Sequence, residues 1–442
     1  MKITFLTYGT DGDIRPLLAL AQGVAARGHA VHVLADVAGA RRARALGIPF
    51  TALAGDMRAS FAPGGAFGAL LRDGADMARL MRACAAQARD HTRAWLETAC
   101  AVARDSDVLV YSGLAGFVGL AAADGLDIPC IGAAMWPMTP TRAFAPPFLG
   151  GRRLPGWLNL LAHRAFERMA WSMFGPALNR ARAQVFGAAP RRRPWRGNPV
   201  LYGCSPALLA RPGDWPAGAE ITGSWQLPPA PDWQPPPALL AFLSGGPPPV
   251  YIGFGSMAGI DAATLAAAIG AVARERRVLF QPGWSGIDPA RLPPGVFVLD
   301  DTPHDWLFPH MALVVHHGGA GTTHAAARAG VPSVVVPFAG DQFFWAQRLG
   351  ERGIAATCPA ARLDGAARAR RAGGVGAGAA RAGRAGRPDH AHRGRRAYGR
   401  RPPAGRRRTP AGLTPHRHGL TCPASCRCAR CGPPGAGRTA SS

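Results

Sequence analysis

The sequence predicts an α/β protein with two doubly wound, Rossmann-like parallel-sheet domains facing a cleft, followed by a disordered basic tail. Three observations carry this. A strand, a glycine-rich turn, a helix and a second strand succeed one another near the N-terminus. A second series of the same kind opens at Val250, after a proline-dense stretch. Beyond Asp364 the composition narrows to arginine, alanine, glycine and proline.

The first series begins with a short β-rich run, Ile3 to Tyr8, and the loop Gly9-Thr-Asp-Gly-Asp13. Leu17, Leu20, Ala21 and Val24 then recur at helical spacing, with Pro16 suited to the first turn and Gly28 to the C-terminal cap. A strand at Ala30–Leu34 closes a βαβ unit, which implies parallel pairing and a ligand crevice at the carboxyl ends of the strands. Further strands are expected at Val108–Tyr111 and Cys130–Met135, around a small-residue helix from Gly116 to Asp124. The stretch Pro140–Val185 intersperses aromatic residues with arginine and histidine. It reads chiefly as packing, and otherwise as an apolar surface offered to a substrate or a membrane, while Arg164, Glu167 and Arg168 argue against a spanning helix.

Residues 227–249 are rich in proline and read as a linker between an N-terminal domain at 1–226 and a second domain at 250–364. The second domain starts at Val250-Tyr-Ile and turns through Gly253-Phe-Gly-Ser256. It continues through a helix near Ala262–Arg274 and strands near Val278–Gln281, Val296–Leu299, Leu313–Val315 and Ser333–Val336. A cleft between two such domains suits a small ligand.

Charge and cysteine content limit the function classes. The 442 residues carry a formal charge of +25, but 18 arginines and one acid fall in residues 365–442, so most of the excess belongs to the tail. That distribution argues against a nucleic-acid-binding body. No apolar run approaches the roughly 18 residues a membrane span needs. Cys84, Cys100, Cys130, Cys204 and Cys358 lack paired spacing and read as free thiols of a reducing compartment, and the N-terminus does not read as a signal peptide, so a cytoplasmic location is expected.

Chemistry concentrates at His316-His-Gly-Gly-Ala-Gly-Thr-Thr-His324, which follows a strand and opens a helix. Glycines leaving a strand let backbone N–H groups approach an anion, and the helix N-terminus adds positive partial charge, so the loop reads as a diphosphate cradle matched by the turn at 253–256.

With these phrases in place the sequence resembles the UDP-glycosyltransferases, inverting enzymes of the GT-B fold, and most nearly their sterol-glucosyltransferase-like branch. The resemblance spans roughly residues 1–364. It rests on Tyr251–Met257, Pro303–Phe308, His316–Thr323, Pro337–Gln342 with Phe344-Trp345, Ile221–Trp225, and Thr141–Asn179. It implies a hexosyltransferase acting on a UDP- or dTDP-sugar and a hydroxyl of a lipophilic acceptor: a sterol or hopanoid, a polyketide or a hydroxy-lipid. No metal and no cofactor beyond the nucleotide sugar is implied, and nucleic acid is not an expected partner. Peripheral membrane contact is a further expectation.

Residue by residue, the resemblance gives the nucleotide diphosphate to Gly255, Ser256, His317, Gly319, Ala320, Gly321, Thr322 and Thr323. Asp341 and Gln342 would hold the donor sugar. The general base falls on Asp13, in Gly12-Asp-Ile-Arg-Pro16, with Asp11 as a nearby competitor and a helix-capping carboxylate as the bland alternative. Trp136, Phe144 and Phe148 are candidates for the acceptor pocket. Ala325 stands where plant members place a ribose-binding glutamate, and Trp306 lies in a different motif from their base-stacking tryptophan. A nucleotide-sugar epimerase of the same fold, or an inactive remnant, are the competing readings.

Family members continue past residue 360 with helices that this sequence does not show. Lys2 is the only lysine against 50 arginines, a mark of GC-rich coding DNA, and such codons read out of frame yield mainly Arg, Ala, Gly and Pro. Residues 365–442 therefore read as the product of a frameshift near 360–370 that truncates the second domain, with a natural polybasic arm for nucleic acid or anionic lipid as the rival reading. Cys422, Cys426, Cys428 and Cys431 do not have the spacing of paired zinc modules.

Overall fold

The computed structural model describes residues 1–61, 65, 77–149, 151–230, 232–256 and 261–359. The expectations placed on 365–442 lie outside the described residues.

The first lobe runs β1 (Lys2–Leu6), α1 (Asp11–Ala25), β2 (Ala30–Ala35), α2 (Ala40–Ala45), β3 (Phe50–Ala52), α3 (Met57–Phe61) and α4 (Met77–Ala103). It continues with β4 (Val108–Tyr111), α5 (Gly116–Leu126), β5 (Cys130–Ala134), α6 (Gly156–Phe186), β6 (Val200–Tyr202) and β7 (Ala219–Ile221). The second runs α7 (Pro237–Ser244), β8 (Val250–Gly253), α8 (Ala262–Ala273), β9 (Val278–Gln281), β10 (Val296–Val298) and α9 (His304–Leu307). It closes with β11 (Leu313–His316), α10 (Ala320–Ala329), β12 (Ser333–Val335), α11 (Gln342–Glu351) and β13 (Ala355–Thr357).

The sheets are ordered β3-β2-β1-β4-β5-β6-β7 and β10-β9-β8-β11-β12-β13, and the pairings at their centres are parallel. Helices cover the sheets, so the strands are apolar on both faces: Phe5, Leu6, Val33, Leu34, Leu109, Val278, Leu279 and Phe280 are almost completely buried. In each sheet the order of succession reverses once, between β1 and β4 and between β8 and β11. Loops leaving such neighbouring strands diverge to opposite faces and leave a crevice between them.

Helix α1 starts where its sequence can satisfy free amide groups. Thr10 Oγ1 accepts from Gly12 N at 3.3 Å, while Thr10 N donates to Asp13 Oδ2 at 2.9 Å, a reciprocal capping box. Leu17, Leu18 and Ala21 bury its inner face. Helix α6 takes up most of the aromatic-rich stretch 140–185. It holds the preceding segment through Asn159 Nδ2 to Arg142 O, 2.9 Å, and a 3.1 Å hydrogen bond between His163 Nε2 and Phe144 O.

Within the stretch read as linker, Pro237–Ser244 forms helix α7, with Pro237 at its first position, and Leu239 buries against Tyr251 and Leu279 of the second lobe. The lobes also share a core. Phe144, Tyr202 and Trp215 of the first belong to one buried cluster with Phe344, Trp345 and Leu349 of the second.

Candidate active site

In the first lobe the crevice between β1 and β4 opens into a cavity of about 880 Å³. Gly9, Thr10 and Asp13 wall it on the β1 side, and Ser112, Gly113 and Gly116 on the β4 side. Gly9 has a steric reason to be glycine, since a Cβ there would run into the Asp13 carboxylate. Both hydrogen bonds of that carboxylate, from Thr10 N and Thr10 Oγ1, engage Oδ2. Asp13 therefore caps its helix and faces the cavity at the same time. Burial pushes its pKa up to about 6, against the lowering effect of the Thr10 hydrogen bonds. A carboxylate so poised is ionised at neutral pH yet basic enough to take a proton. Asp11 instead pairs with Arg42 at 3.4 Å and is not part of the cavity wall.

The rest of the wall is mostly apolar. Trp136 and Phe148 line it, with their rings 6.1 Å apart, and Phe148 stacks on Phe166 at 5.0 Å. Phe144 does not line it. That ring is buried between Trp215 and Phe344, 6.4 and 5.4 Å away, beneath the Arg348 guanidinium, and belongs to the seam between the lobes. Cys84 lies in the wall, but burial pushes its thiol up to about 12, so it stays protonated and is no nucleophile.

In the second lobe the corresponding crevice, between β8 and β11, carries the glycine turns. They lie side by side on paired strands, with His316 opposite Gly253 in the register. A Cβ on Gly255 would sit 3.3 Å from His317 Cε1, and one on Gly319 would collide with His317 Nε2. The imidazole is thus held between the two turns. Gly255, at φ +57°, is also bound through its carbonyl by Trp284 N at 2.9 Å, and Ser256 follows it in the turn. Burial lowers the His317 pKa to about 4, which keeps the ring neutral with one N–H to donate, and Nδ1 is buried without a partner.

Gly319 is the N-cap of α10. Thr323 N is already committed to Gly319 O at 3.0 Å, so the orphan amides are those of Ala320, Gly321 and Thr322. Thr323 is fully buried with its hydroxyl inside the lobe, so it supports the turn and does not line it.

Asp341 and Gln342, at the start of α11, reach the wall of the first lobe's cavity, together with Ala339 and Gly340. Gln342 Oε1 accepts from Phe338 N and Ala339 N at 2.7 and 3.1 Å and so fixes the turn. Asp341 Oδ2 accepts from Trp345 Nε1 at 3.0 Å. Burial, reinforced by the nearby Asp13 charge, pushes its pKa up to about 7.

Sequence reasoning missed a bridge across the lobes. Asp301, after β10, takes Arg15 of α1 on Oδ1 and Arg42 of α2 on Oδ2, both at 2.8 Å. Both arginines hold the Asp301 carboxyl below its ordinary range, against the effect of burial. Nothing in the sequence pairs residues so far apart. Asn179, quoted above only as part of a resemblance, clasps Arg191 in both directions (Nδ2 to O, 3.0 Å; N to Oδ1, 2.9 Å) and so positions the loop carrying Trp195.

Residues 3–122 match the glycosyltransferase family 28 N-terminal domain, and residues 263–386 the erythromycin biosynthesis protein CIII-like C-terminal domain, so the match continues past Asp364. The sterol 3-beta-glucosyltransferase of Neosartorya fischeri is 34% identical over 387 residues, covering 80% of this chain. That of Eremothecium gossypii is 33% identical over 367, covering 79%. The chain spans about a quarter of the length of these relatives, 26% and 29%. Among solved structures, the glycosyltransferase SnogD from Streptomyces nogalater matches with a TM-score of 0.54 at 23% identity, covering 87% of this chain and 94% of that one. VinC in complex with DTDP matches at 0.58 and 21%, with coverages of 87% and 94%.

Twin parallel sheets with crevices at their reversal points, one apolar and one glycine-lined, define a GT-B architecture. The chain belongs to the GT-B glycosyltransferases that carry a family 28 N-terminal domain, and it is related to the sterol glucosyltransferases.

Proposed function

We propose that the chain is an inverting hexosyltransferase that moves a sugar from a UDP- or dTDP-sugar to a hydroxyl of a lipophilic acceptor. One observation supports this above the others: Asp13 of the first lobe and Asp341 of the second wall the same apolar cavity. The acceptor lies among Trp136, Phe148 and their neighbours with its hydroxyl at Asp13. Asp13 takes the hydroxyl proton as the oxygen attacks the anomeric carbon from the side opposite the diphosphate. The bond from that carbon to the phosphate oxygen breaks, and the nucleoside diphosphate leaves.

Its growing charge meets the orphan amides of Ala320, Gly321 and Thr322, the α10 dipole and the His317 N–H, with Gly255 and Ser256 closing the other side. Asp341 and Gln342 hold sugar hydroxyls. This assignment calls on no metal.

The test is turnover of UDP-glucose and dTDP-glucose with and without a sterol or another apolar alcohol. Nucleotide release that depends on the alcohol supports transfer; a new sugar epimer without release overturns it. Asp13→Asn is expected to lower kcat about 10²–10⁴-fold while the nucleotide Kd stays unchanged.

A further inference from the structure

Helix α6 has a face that the cavity uses only at its margin, through Arg164. Trp157, Leu161, Arg164 and Arg168 are spaced 4, 3 and 4 residues apart, which at 3.6 residues per turn keeps them within an arc of about 60°. Such spacing ordinarily marks a face turned to the core. Here all four are exposed, Trp157 at 68% and Leu161 at 49%. Leu149, 38% exposed, and the exposed Arg152 and Arg153 precede the helix. Glu167 is the one acid between residues 149 and 168, and it is half-buried and paired with Arg196 at 2.8 Å.

The adjoining face of the same helix is the cavity wall, through Leu160, Arg164, Glu167 and Phe174. Arg164 belongs to both faces, so the exposed stripe continues into the cavity.

We propose that this stripe is a docking surface for an anionic lipid bilayer, with Trp157 and Leu161 entering the headgroup boundary and the arginines contacting lipid phosphates. A tryptophan and a leucine among arginines, with no unpaired acid, match the chemistry of such an interface. A second copy of this chain fits less well, because a two-fold contact through the patch would set arginines against arginines. A bilayer so placed lies beside the entrance used by a lipophilic acceptor. That consequence rests on the function proposed above, whereas docking itself does not.

The test is co-sedimentation of the full chain with phosphatidylcholine vesicles and with phosphatidylcholine–phosphatidylglycerol vesicles. Binding to the mixed vesicles is expected, weakened at least about tenfold in a Trp157→Ser, Leu161→Ser double variant. Arg168→Gln is expected to weaken it about fivefold, the worth of one cation at an anionic surface. None of these residues is buried, so the thermal midpoint stays unchanged, as does turnover of a water-soluble alcohol. Turnover of an acceptor embedded in the vesicles falls with the binding.

Three results would overturn docking at this stripe: no binding of the wild type, equal binding by the double variant (which would locate attachment elsewhere, such as the arginine-rich residues 365–442), or a wild-type dimer that the double variant splits into monomers. If soluble-acceptor turnover persists in any of these cases, the transferase reading stands without the membrane.

Discussion

The two lobes place their candidate binding loops at the same topological address and build opposite chemistry there. Both sheets reverse order after their first strand, and both crevices are lined by the loops that follow the two central strands. In the first lobe the connections after β3 and β5 are long insertions, α4 and α6, whose side chains help enclose an apolar cavity with a single carboxylate from α1 on its β1 side. In the second, short glycine turns bring backbone amides and one neutral imidazole together. The topology decides where a ligand sits; the length and side chains of the connections decide which ligand it is.

Four substitutions and a pH series break or sharpen that contrast. Phe144→Ala removes a seam residue and is expected to cost ~3–5 kcal/mol of stability, read from chemical denaturation, without changing acceptor preference. Trp136→Ala is expected to do the reverse, raising the acceptor KM with a smaller loss of stability; an acceptor shift in Phe144→Ala instead would return that ring to the pocket. Gly319→Ala pushes against His317 and is expected to raise the nucleotide Kd about tenfold to hundredfold, the worth of a hydrogen bond to a charged group, leaving acceptor binding intact.

The pH series bears on both crevices. Asp13 must be ionised, so kcat/KM is expected to fall about tenfold per unit below its pKa of about 6. Stability responds to opposing groups. His304, His317 and His324 have pKa values lowered from 6.5 to about 4, and His316 to about 3, so the unfolded chain binds more protons in that window and stability falls as pH drops through it. Asp13 and Asp341, raised from 3.8 to about 6 and 7, bind more protons when folded and oppose that loss, their contribution fading as pH rises through those values. With four histidines against two carboxylates, the thermal midpoint is expected to fall between pH 7 and 5, and an Asp13→Asn variant lacks one opposing group. Smallest of all, Asp301→Asn is expected to cost under about 1 kcal/mol and to make the nucleotide Kd less sensitive to salt, since its ion pairs are part-exposed.

The central strands and the glycine loop were legible because their signals are local. Val278–Gln281 and Val250–Gly253 read as apolar runs between turns, and His317 to Thr322 follow a strand and start a helix within a few residues. Strands β6 and β7 are three residues each, too short for any alternation to show, and pairing defines them, β6 against β5 and β7 against β6. Phe144 and Phe148 are alike in sequence. One turns into the seam and the other into the cavity because His163 and the Thr141–Asp214 contacts fix the segment between them and helix α6. Asp13 shows the limit of residue-type reasoning: a capping carboxylate and a cavity-facing one look alike in sequence, and here the same side chain caps α1 and lines the cavity. The bridge from Asp301 to Arg15 and Arg42 joins residues 286 and 259 apart, and such pairs leave no local trace.

The shared cluster of Phe144, Tyr202 and Trp215 with Phe344, Trp345 and Leu349 bears on how this family can be recombined. On the proposed function, acceptor and donor preferences would reside in different halves of the polypeptide, which invites hybrids made by cutting near the proline-rich stretch. Such a hybrid would have to carry matched aromatic partners on both sides of the cut. Without them the halves would retain their separate ligands and fail to bring the hydroxyl to the sugar.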